Sequence, residues 1–375
     1  MSTTESNTNG KNRPPATIPV LPPAAIDKRF FLTELTAAHS AIGELRGFLG
    51  TLQNPSLLIA PFRKREAVAS SAIEGTRATL DEVMEYEAAD NQPGTDNSLG
   101  QTEKVEDILE IMNYERAMSF AVRSLRDYPI GERLIKETHR ILLQSVRGST
   151  KTPGEFRRAP VAVGEYVPPA SGSISGLMTN WENYLNKSKV ETDPLVRIAV
   201  AHYQFEAIHP FMDGNGRIGR LIIPLFLCQE GLLDTPVLYV SHYLERYKVE
   251  YGRLLHEVDT DQKWNEWIRF FLLAIQAQAR ITTAKAKEIQ ELYERLKVEL
   301  AQTVRSQHFV ATLDLLFSKA IVSAPRLNKA IHAKSRATAN NIINRLVEAG
   351  VLRKTFSIGN EKFYEFTELR KIIRS

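Results

Sequence analysis

A single cysteine among 375 residues, Cys228, leaves no disulfide to form within the chain. Its neighbours in LIIPLFLCQ are apolar, which points to a packed thiol rather than a reactive one. Long apolar runs are missing as well: LIIPLFLC and FFLLAI fall well short of the ~20 residues that span a bilayer. The opening stretch, MSTTESNTNGKNRPPATIPVLPP, holds no apolar segment of signal-peptide length. These absences exclude a disulfide-stapled secreted fold and a helical membrane protein. The expectation is a cytoplasmic protein without a membrane anchor.

Extended patterns are also scarce. Only TPGEFRRAPVAVGEYVPPASGSI, from Thr152, and the last thirty or so residues alternate in the manner of strands. In the first of these, Gly164 and Glu165 are placed as the turn of a short β-hairpin over Val161 to Val167. Everything else between Ile26 and Ala324 carries apolar residues at three-and-four spacing, so the chain is expected to be mainly α. From Arg253 to Ala324 there is neither glycine nor proline, which predicts long uninterrupted helices. Hydrophobic content of 43% and charged content of 25% are those of a folded chain, and its length suits two or three domains.

The net charge of +4 is unevenly spread. Residues 301–375 carry +8 and the first 300 carry −4, so an anionic partner is expected at the carboxyl-terminal end. That end reads as a helix (RLNKAIHA), a second helix (SRATANNIINRLVEAG), and two strands around Ile358, Gly359 and Asn360, the pattern of a winged helix-turn-helix. At the other end, five prolines and many small polar residues up to Pro23 read as a solvated arm.

What is most concentrated is the segment HPFMDGNGRIGR, from His209 to Arg220. Gly214, Gly216 and Gly219 satisfy G-x-G-x-x-G, but a helical pattern precedes them rather than a strand, so a dinucleotide fold is excluded. No Gly-Lys-Ser/Thr follows, which excludes a Walker loop. The underlying physics still applies: glycines admit backbone amides to an anion and lead into a helix whose amino terminus favours negative charge. Arg217 and Arg220, three apart, project from one face of its first turn and complete a polyphosphate cradle. Asp213 suits Mg²⁺, which takes one or two carboxylates together with substrate phosphates. His209, at the exit of the preceding helix, suits a general base at neutral pH. His202 and His209 lack a third ligand at zinc spacing, and Trp264 and Trp267 read as core anchors.

HPFMDGNGRIGR resembles the signature of the Fic family, H-P-F-x-D/E-G-N-G-R-x-x-R, without a departure. The resemblance implies a helical Fic core with a β-hairpin flap, an amino-terminal helical region and a carboxyl-terminal winged helix-turn-helix. It implies an arm over 1–25, a helical region over 26–127, a catalytic domain over 128–277, a linking helix over 278–304 and the winged helix over 305–375. The implied activity is transfer of AMP from ATP to a Ser, Thr or Tyr hydroxyl of a target protein. On that resemblance His209 is the base and Asp213 holds Mg²⁺. The amides of Gly214 to Gly216 and the Asn215 side chain face the α-phosphate, Arg217 and Arg220 hold the outer phosphates, and Ile218 and Gly219 complete the nucleotide site. Val161, Ala162, Val163 and Gly164 line the nucleotide and offer an edge to the target. Tyr251 looks like the aromatic near the adenine in relatives. Gly216 stands where a kinase-like branch carries lysine.

SSAIEGT, from Ser70, resembles the family's inhibitory motif, S/T-x-x-x-E-G/N, with Ser70, Glu74 and Gly75 in the motif positions. The resemblance implies that Glu74 reaches Arg220 and occupies the place of the γ-phosphate. Two other readings stay open. One is removal of AMP from a modified target, with Glu74 positioning water. The other is a DNA-binding regulator that sets Lys334, Arg336, Arg345, Arg353 and Lys354 against phosphates, for which salt-dependent binding to random duplex DNA is the discriminating property. The winged helix could instead dock a protein, and a homodimer is compatible with the resemblance.

Overall fold

The computed structural model describes residues 14–23, 26–52, 55–89, 103–186, 193–304, 308–333 and 335–374. Much of the expected arm, most of the loop after Ala88, and Lys334 lie outside the described residues. A 3-10 turn at Lys28–Phe31, capped by the Asp27 side chain, leads into α1 (Leu32–Gly50). Next come α2 (Ser56–Ile73) and α3 (Leu80–Ala88), where the spacing predicts one helical stretch from Pro55 to Glu87. Gly75, at φ +98, breaks the stretch, and a capping box restarts it. The Thr79 amide donates to Glu82 Oε2 at 2.9 Å, and the Glu82 amide donates to Thr79 Oγ1 at 3.3 Å. Such a cap contributes ~1 kcal/mol.

The chain continues through α4 (Glu103–Ser124), α5 (Glu132–Leu142), α6 (Ile174–Asn186), α7 (Pro194–Ile208) and α8 (Asn215–Gln229). Then come α9 (Ser241–Arg246), α10 (Lys248–Asp261) and the 41-residue α11 (Trp264–Val304); the stretch without glycine or proline begins inside α10, just after Gly252. The remainder comprises α12 (Phe309–Lys319), β1 (Ile321–Ser323), α13 (Ala324–Ala330), α14 (Arg336–Glu348), β2 (Leu352–Ile358), β3 (Glu361–Phe366) and α15 (Thr367–Arg374).

The chain divides into two compact units, one of Met1–Ile42, Asn113–Pro236 and Val240–Gln278, the other of Gly43–Met112, Val237–Tyr239 and Ala279–Ser375. Borders fall inside α1, α4 and α11, and two more lie in the connection between α8 and α9. In the first unit α6 and α8 pack on α7. α7 is buried along its length except at Pro194 and Glu206, with Arg197, His202 and Gln204 among its buried residues. Asp193 caps it, accepting from the Leu195 amide at 2.8 Å, and Pro194 starts it. The indoles of Trp181 and Trp267 each donate to an α7 carbonyl, Ala201 and Ala199, both at 2.8 Å. Burial pushes the Cys228 thiol up to about 12, in keeping with a packed role. The part of the arm that is described is docked rather than solvated: Ile18 and Leu21 are buried, and Gln204 Nε2 donates to the Pro19 carbonyl at 3.0 Å. Two apolar side chains among the prolines are enough to seat it.

In the second unit β1, β3 and β2 form an antiparallel sheet in that order, with Ile321 opposite Glu365 and Arg353 opposite Glu365 on either side. β1 and α15 extend the two strands and two helices expected from the sequence. Gly359, at φ +55, makes the turn between β2 and β3. α12 and α15 pack on α2, and β1 packs on α3. Among the described residues no helix is long and apolar enough to cross a membrane.

Candidate active site

α7 ends at His209, which adopts the left-handed conformation (φ 50, ψ 60) while its amide still donates to the Phe205 carbonyl at 3.0 Å. A non-glycine residue there costs of order 1 kcal/mol and persists only where the surroundings hold it. Arg157 supplies that hold. Its Nε donates to the His209 carbonyl at 2.8 Å, and Nη2 donates to the Ile208 carbonyl at 3.3 Å and the Pro169 carbonyl at 2.6 Å. Nη1 donates to the Ala159 carbonyl at 3.3 Å, and the Arg157 amide donates to the Pro210 carbonyl at 2.8 Å. One buried guanidinium thus ties both ends of the 159–169 segment to the entry of the loop. The His209 ring has Nδ1 3.3 Å from the Glu206 carbonyl; in the tautomer in which Nδ1–H donates there, Nε2 carries the lone pair.

Beyond His209 the loop closes on itself. The Phe211 amide donates to Asn215 Oδ1 at 2.8 Å, and Asn215 Nδ2 donates to the Phe211 carbonyl at 2.9 Å. The Asn215 side chain is buried in this brace. Gly214, at φ +76, caps α8, whose first-turn amides of Asn215 to Arg217 have no intrahelical acceptor. Asp213 Oδ1 accepts from the Gly214 amide at 2.7 Å and lies 3.5 Å from Arg217 Nη2. Its Oδ2 lies 3.7 Å from Lys151 Nζ and against Gly148, where a Cβ would come within 2.8 Å.

Behind the loop stands His139. Its Nδ1 accepts from the Gly154 amide at 2.8 Å, which leaves Nε2–H to donate to the Asp213 carbonyl at 2.9 Å. The ring stacks on Phe211, centroids 3.8 Å apart. Burial lowers its pKa to about 4 from 6.5, so the unfolded chain takes up this proton before the folded one does. Stability from this residue is complete above pH ~6.5 and declines as the pH falls towards 4, by up to about 3 kcal/mol. Urea unfolding at pH 7 and pH 4.5 should therefore show a smaller acid loss in His139→Gln than in the parent, and equal losses would refute the assignment.

Arg217 and Arg220 are both buried on α8, on the side that begins at the loop. Gly219 allows α8 to approach α7: a Cβ there would meet Glu206 Oε1 at 2.3 Å and Phe205 Cδ1 at 3.2 Å. Beneath, His202 Nε2 pairs with the Tyr251 hydroxyl at 2.9 Å and Nδ1 with the Gly219 carbonyl at 3.2 Å. Burial first, then the Arg220 charge, lower the His202 pKa to about 3. Tyr251, which resemblance sets near the adenine, is buried in a packed aromatic group with Trp267. The side of α10 that does face open space is Gly252, Leu255, His256 and Asp259, one helical stripe.

That stripe, with Val163, Tyr166, Tyr203 and His209, lines a cleft of about 370 Å³. The expected hairpin is reduced to one bridge, Val163 to Tyr166, with its two backbone hydrogen bonds at 2.9 and 3.0 Å. Pro160, Pro168 and Pro169 flank it and deny a longer ladder its donors. Gly164, at φ +58, makes the turn; Ala162 and Gly164 are exposed, and Val161 is half-buried. The Tyr166 hydroxyl anchors the turn by donating to the Ala207 carbonyl at 2.9 Å. Ser70 and Ile73 close α2, Glu74 is its C-cap and Gly75 follows, all within the second unit. Arg157 and His139 escaped the sequence reading, since neither lies in a signature. A polar residue inside an apolar helical pattern was the only signal for His139.

Residues 32–123 match the Fic/DOC family N-terminal profile and residues 129–227 the Fic/DOC family profile, together just over half of the chain. Over 154 residues, 40% of this chain, it is 36% identical to "Protein adenylyltransferase Fic" of Aedes aegypti, and over 140 residues it is 37% identical to the protein of that name in Drosophila grimshawi. The matched stretches span 30% and 28% of those relatives. Among solved structures, a Fic family protein from Desulfovibrio desulfuricans G20 superposes with a TM-score of 0.54 at 23% identity, covering 92% of this chain and 98% of the other. Fic-1 from C. elegans superposes with a TM-score of 0.53 at 20% identity, covering 69% of this chain and 75% of the other.

Proposed function

The chain belongs to the Fic/DOC family, and on that premise we propose that it is a protein adenylyltransferase, moving AMP from ATP to a Ser, Thr or Tyr hydroxyl of a target protein. One observation carries this reading: His209 stands where the 370 Å³ cleft meets the loop that opens α8, the helix bearing Arg217 and Arg220. The cleft accepts the nucleoside, and the amino end of α8 with both guanidiniums accepts the phosphates. The hydroxyl oxygen attacks the α-phosphorus, the bond from that phosphorus to the bridging oxygen of diphosphate breaks, and His209 Nε2 takes the hydroxyl proton. The first amides of α8 then face the charge that grows on the α-phosphoryl oxygens.

The donor set also fits Mg²⁺. Asp213 offers a carboxylate at the phosphate side, and Mg²⁺ draws its other ligands from phosphates and water. When bound, the ion would neutralise phosphate charge, with Asp213 as its protein ligand. The flap turn around Gly164 serves as the target's docking edge, since its exposed backbone is open to strand addition. We assign the catalytic domain to 128–277 and read the carboxyl-terminal sheet with α13 and α14 as a winged helix.

We further propose that Ser70, Glu74 and Gly75 form an inhibitory motif, with Glu74 opposing the γ-phosphate at Arg220. The test is incorporation of labelled AMP by the full chain with Mg²⁺ and ATP. Glu74→Gly should label at least about tenfold more than the parent, a change of ~1.4 kcal/mol in the inhibitory balance. No rise would sink the inhibitory motif, and no labelling of itself or any lysate protein by either form would sink AMP transfer.

A further inference from the structure

Part of the positive charge after residue 300 meets anions inside the second unit. Lys319 Nζ lies 2.5 Å from Glu87 Oε1, and Lys64 Nζ lies 2.9 Å from Glu87 Oε2. Burial would raise the Glu87 carboxyl, but Lys64 and Lys319 outweigh it and hold it at about 2. Arg370, with its side chain buried, pairs with Glu365 on β3, with Asp81 at 2.6 Å and with Glu85 at 3.6 Å. Arg374 Nε donates to Asp81 Oδ1 at 2.8 Å. Three of the four carboxylates of α3 therefore face cations of the carboxyl-terminal module.

Packing runs the same way. α12 and α15 lie on α2, β1 lies on α3, and Lys285 Nζ fastens α15 by donating to the Ile372 carbonyl at 2.7 Å. Glu74 sits in the six-residue connection between α2 and α3, so both helices that hold it are themselves held by residues 308–374. Of the five cations that a DNA reading sets against phosphates, Arg353 is bound to Glu365 at 2.9 Å and Lys334 lies outside the described residues. Lys319, Arg370 and Arg374 are engaged with α3, and an external polyanion would have to break those pairs to use them.

We propose that the carboxyl-terminal module is the latch of the inhibitory segment: its cations and its apolar contacts keep α2, α3 and Glu74 in the inhibiting arrangement, and loosening them raises AMP transfer. The inference rests on the inhibitory reading of Glu74. It also supplies what that reading lacks, a part of the chain through which inhibition is set.

The latch can be weakened at its solvent end without touching the buried Arg370. The full-length double variant Lys319→Ala/Arg374→Ala is compared with the parent and with Glu74→Gly, by AMP labelling and by amide hydrogen exchange over 60–88. The double variant should label at least fivefold more than the parent and exchange faster in α2 and α3. Raising the salt from 0.05 to 0.5 M should narrow the gap between parent and double variant, because partly exposed pairs are screened. Single changes Lys319→Ala and Arg374→Ala serve if the double variant does not fold, each with a rise of at least twofold. Parent-like labelling by the latch variants beside strong labelling by Glu74→Gly overturns the latch alone, as does unchanged exchange. Parent-like labelling by Glu74→Gly removes the inhibitory reading and the latch with it.

Discussion

Replacing His209 by alanine is expected to lower AMP transfer by roughly 10²–10⁴-fold, the usual worth of a positioned general base. The measurement is initial labelling rate in the Glu74→Gly background against a fixed target. Folding stability should change by less than ~1 kcal/mol, for identifiable reasons. The contacts that hold residue 209 are made by its backbone: the amide to Phe205, the carbonyl to Arg157. Its ring Nδ1 lies 3.3 Å from the Glu206 carbonyl, and the residue lines the cleft. Alanine keeps the backbone bonds and bears a similar left-handed cost. A variant that retains more than a tenth of the parental rate would mean that another group takes the proton. The half-buried Asp259, whose carboxyl burial raises, would then be the next residue to test, since it lines the same cleft.

Arg157→Lys should be the most damaging conservative change in the chain. A lysine ammonium has three donors on one atom, whereas Arg157 spreads four side-chain hydrogen bonds over the Ala159, Pro169, Ile208 and His209 carbonyls. At least one of those carbonyls would lose its donor in a buried setting, at ~1–3 kcal/mol, so thermal and urea unfolding should report a loss of at least about 1–3 kcal/mol. The kinetic signature is more specific. The groups proposed to hold the phosphates are on α8 and Asp213, which Arg157 does not touch, so KM for ATP should change less than about threefold while kcat falls at least tenfold. Target KM should rise, because the same guanidinium secures both ends of the flap segment at Ala159 and Pro169. Loss confined to stability, with kcat intact at a temperature where the variant is folded, would reduce Arg157 to a core residue.

Much of the catalytic segment was legible because its information is local. His209 to Arg220 specifies a helix end, a glycine-permitted turn and a new helix through residues at most a few positions apart, and the structure realises each. The helices also followed from spacing, and the break between α2 and α3 could be found afterwards in Gly75 and the Thr79–Glu82 box. Arg157 and His139 could not be read, since their acceptors at His209 and Asp213 lie 52 and 74 residues away. Asn215 has a second role that the sequence did not show. A carboxamide in a phosphate loop suggests a ligand, and both ends of its side chain also brace Phe211.

By itself the sequence determined which residues could bear the chemistry, because backbone conformation and helix phase are set over a few neighbouring residues. It placed Tyr251 and Gly252 on adjacent positions of one helix but could not say which looks into the cleft. The tertiary structure decided that, by burying Tyr251 against His202 and turning the Gly252, Leu255 and Asp259 stripe outward. It decided the destination of part of the charge as well. The +8 of the last 75 residues looked like a surface for an outside anion. Folding brings Lys319, Arg370 and Arg374 against Glu87 and Asp81, more than 200 residues earlier in the chain, and only closure of that distance can tell an internal pair from an external site.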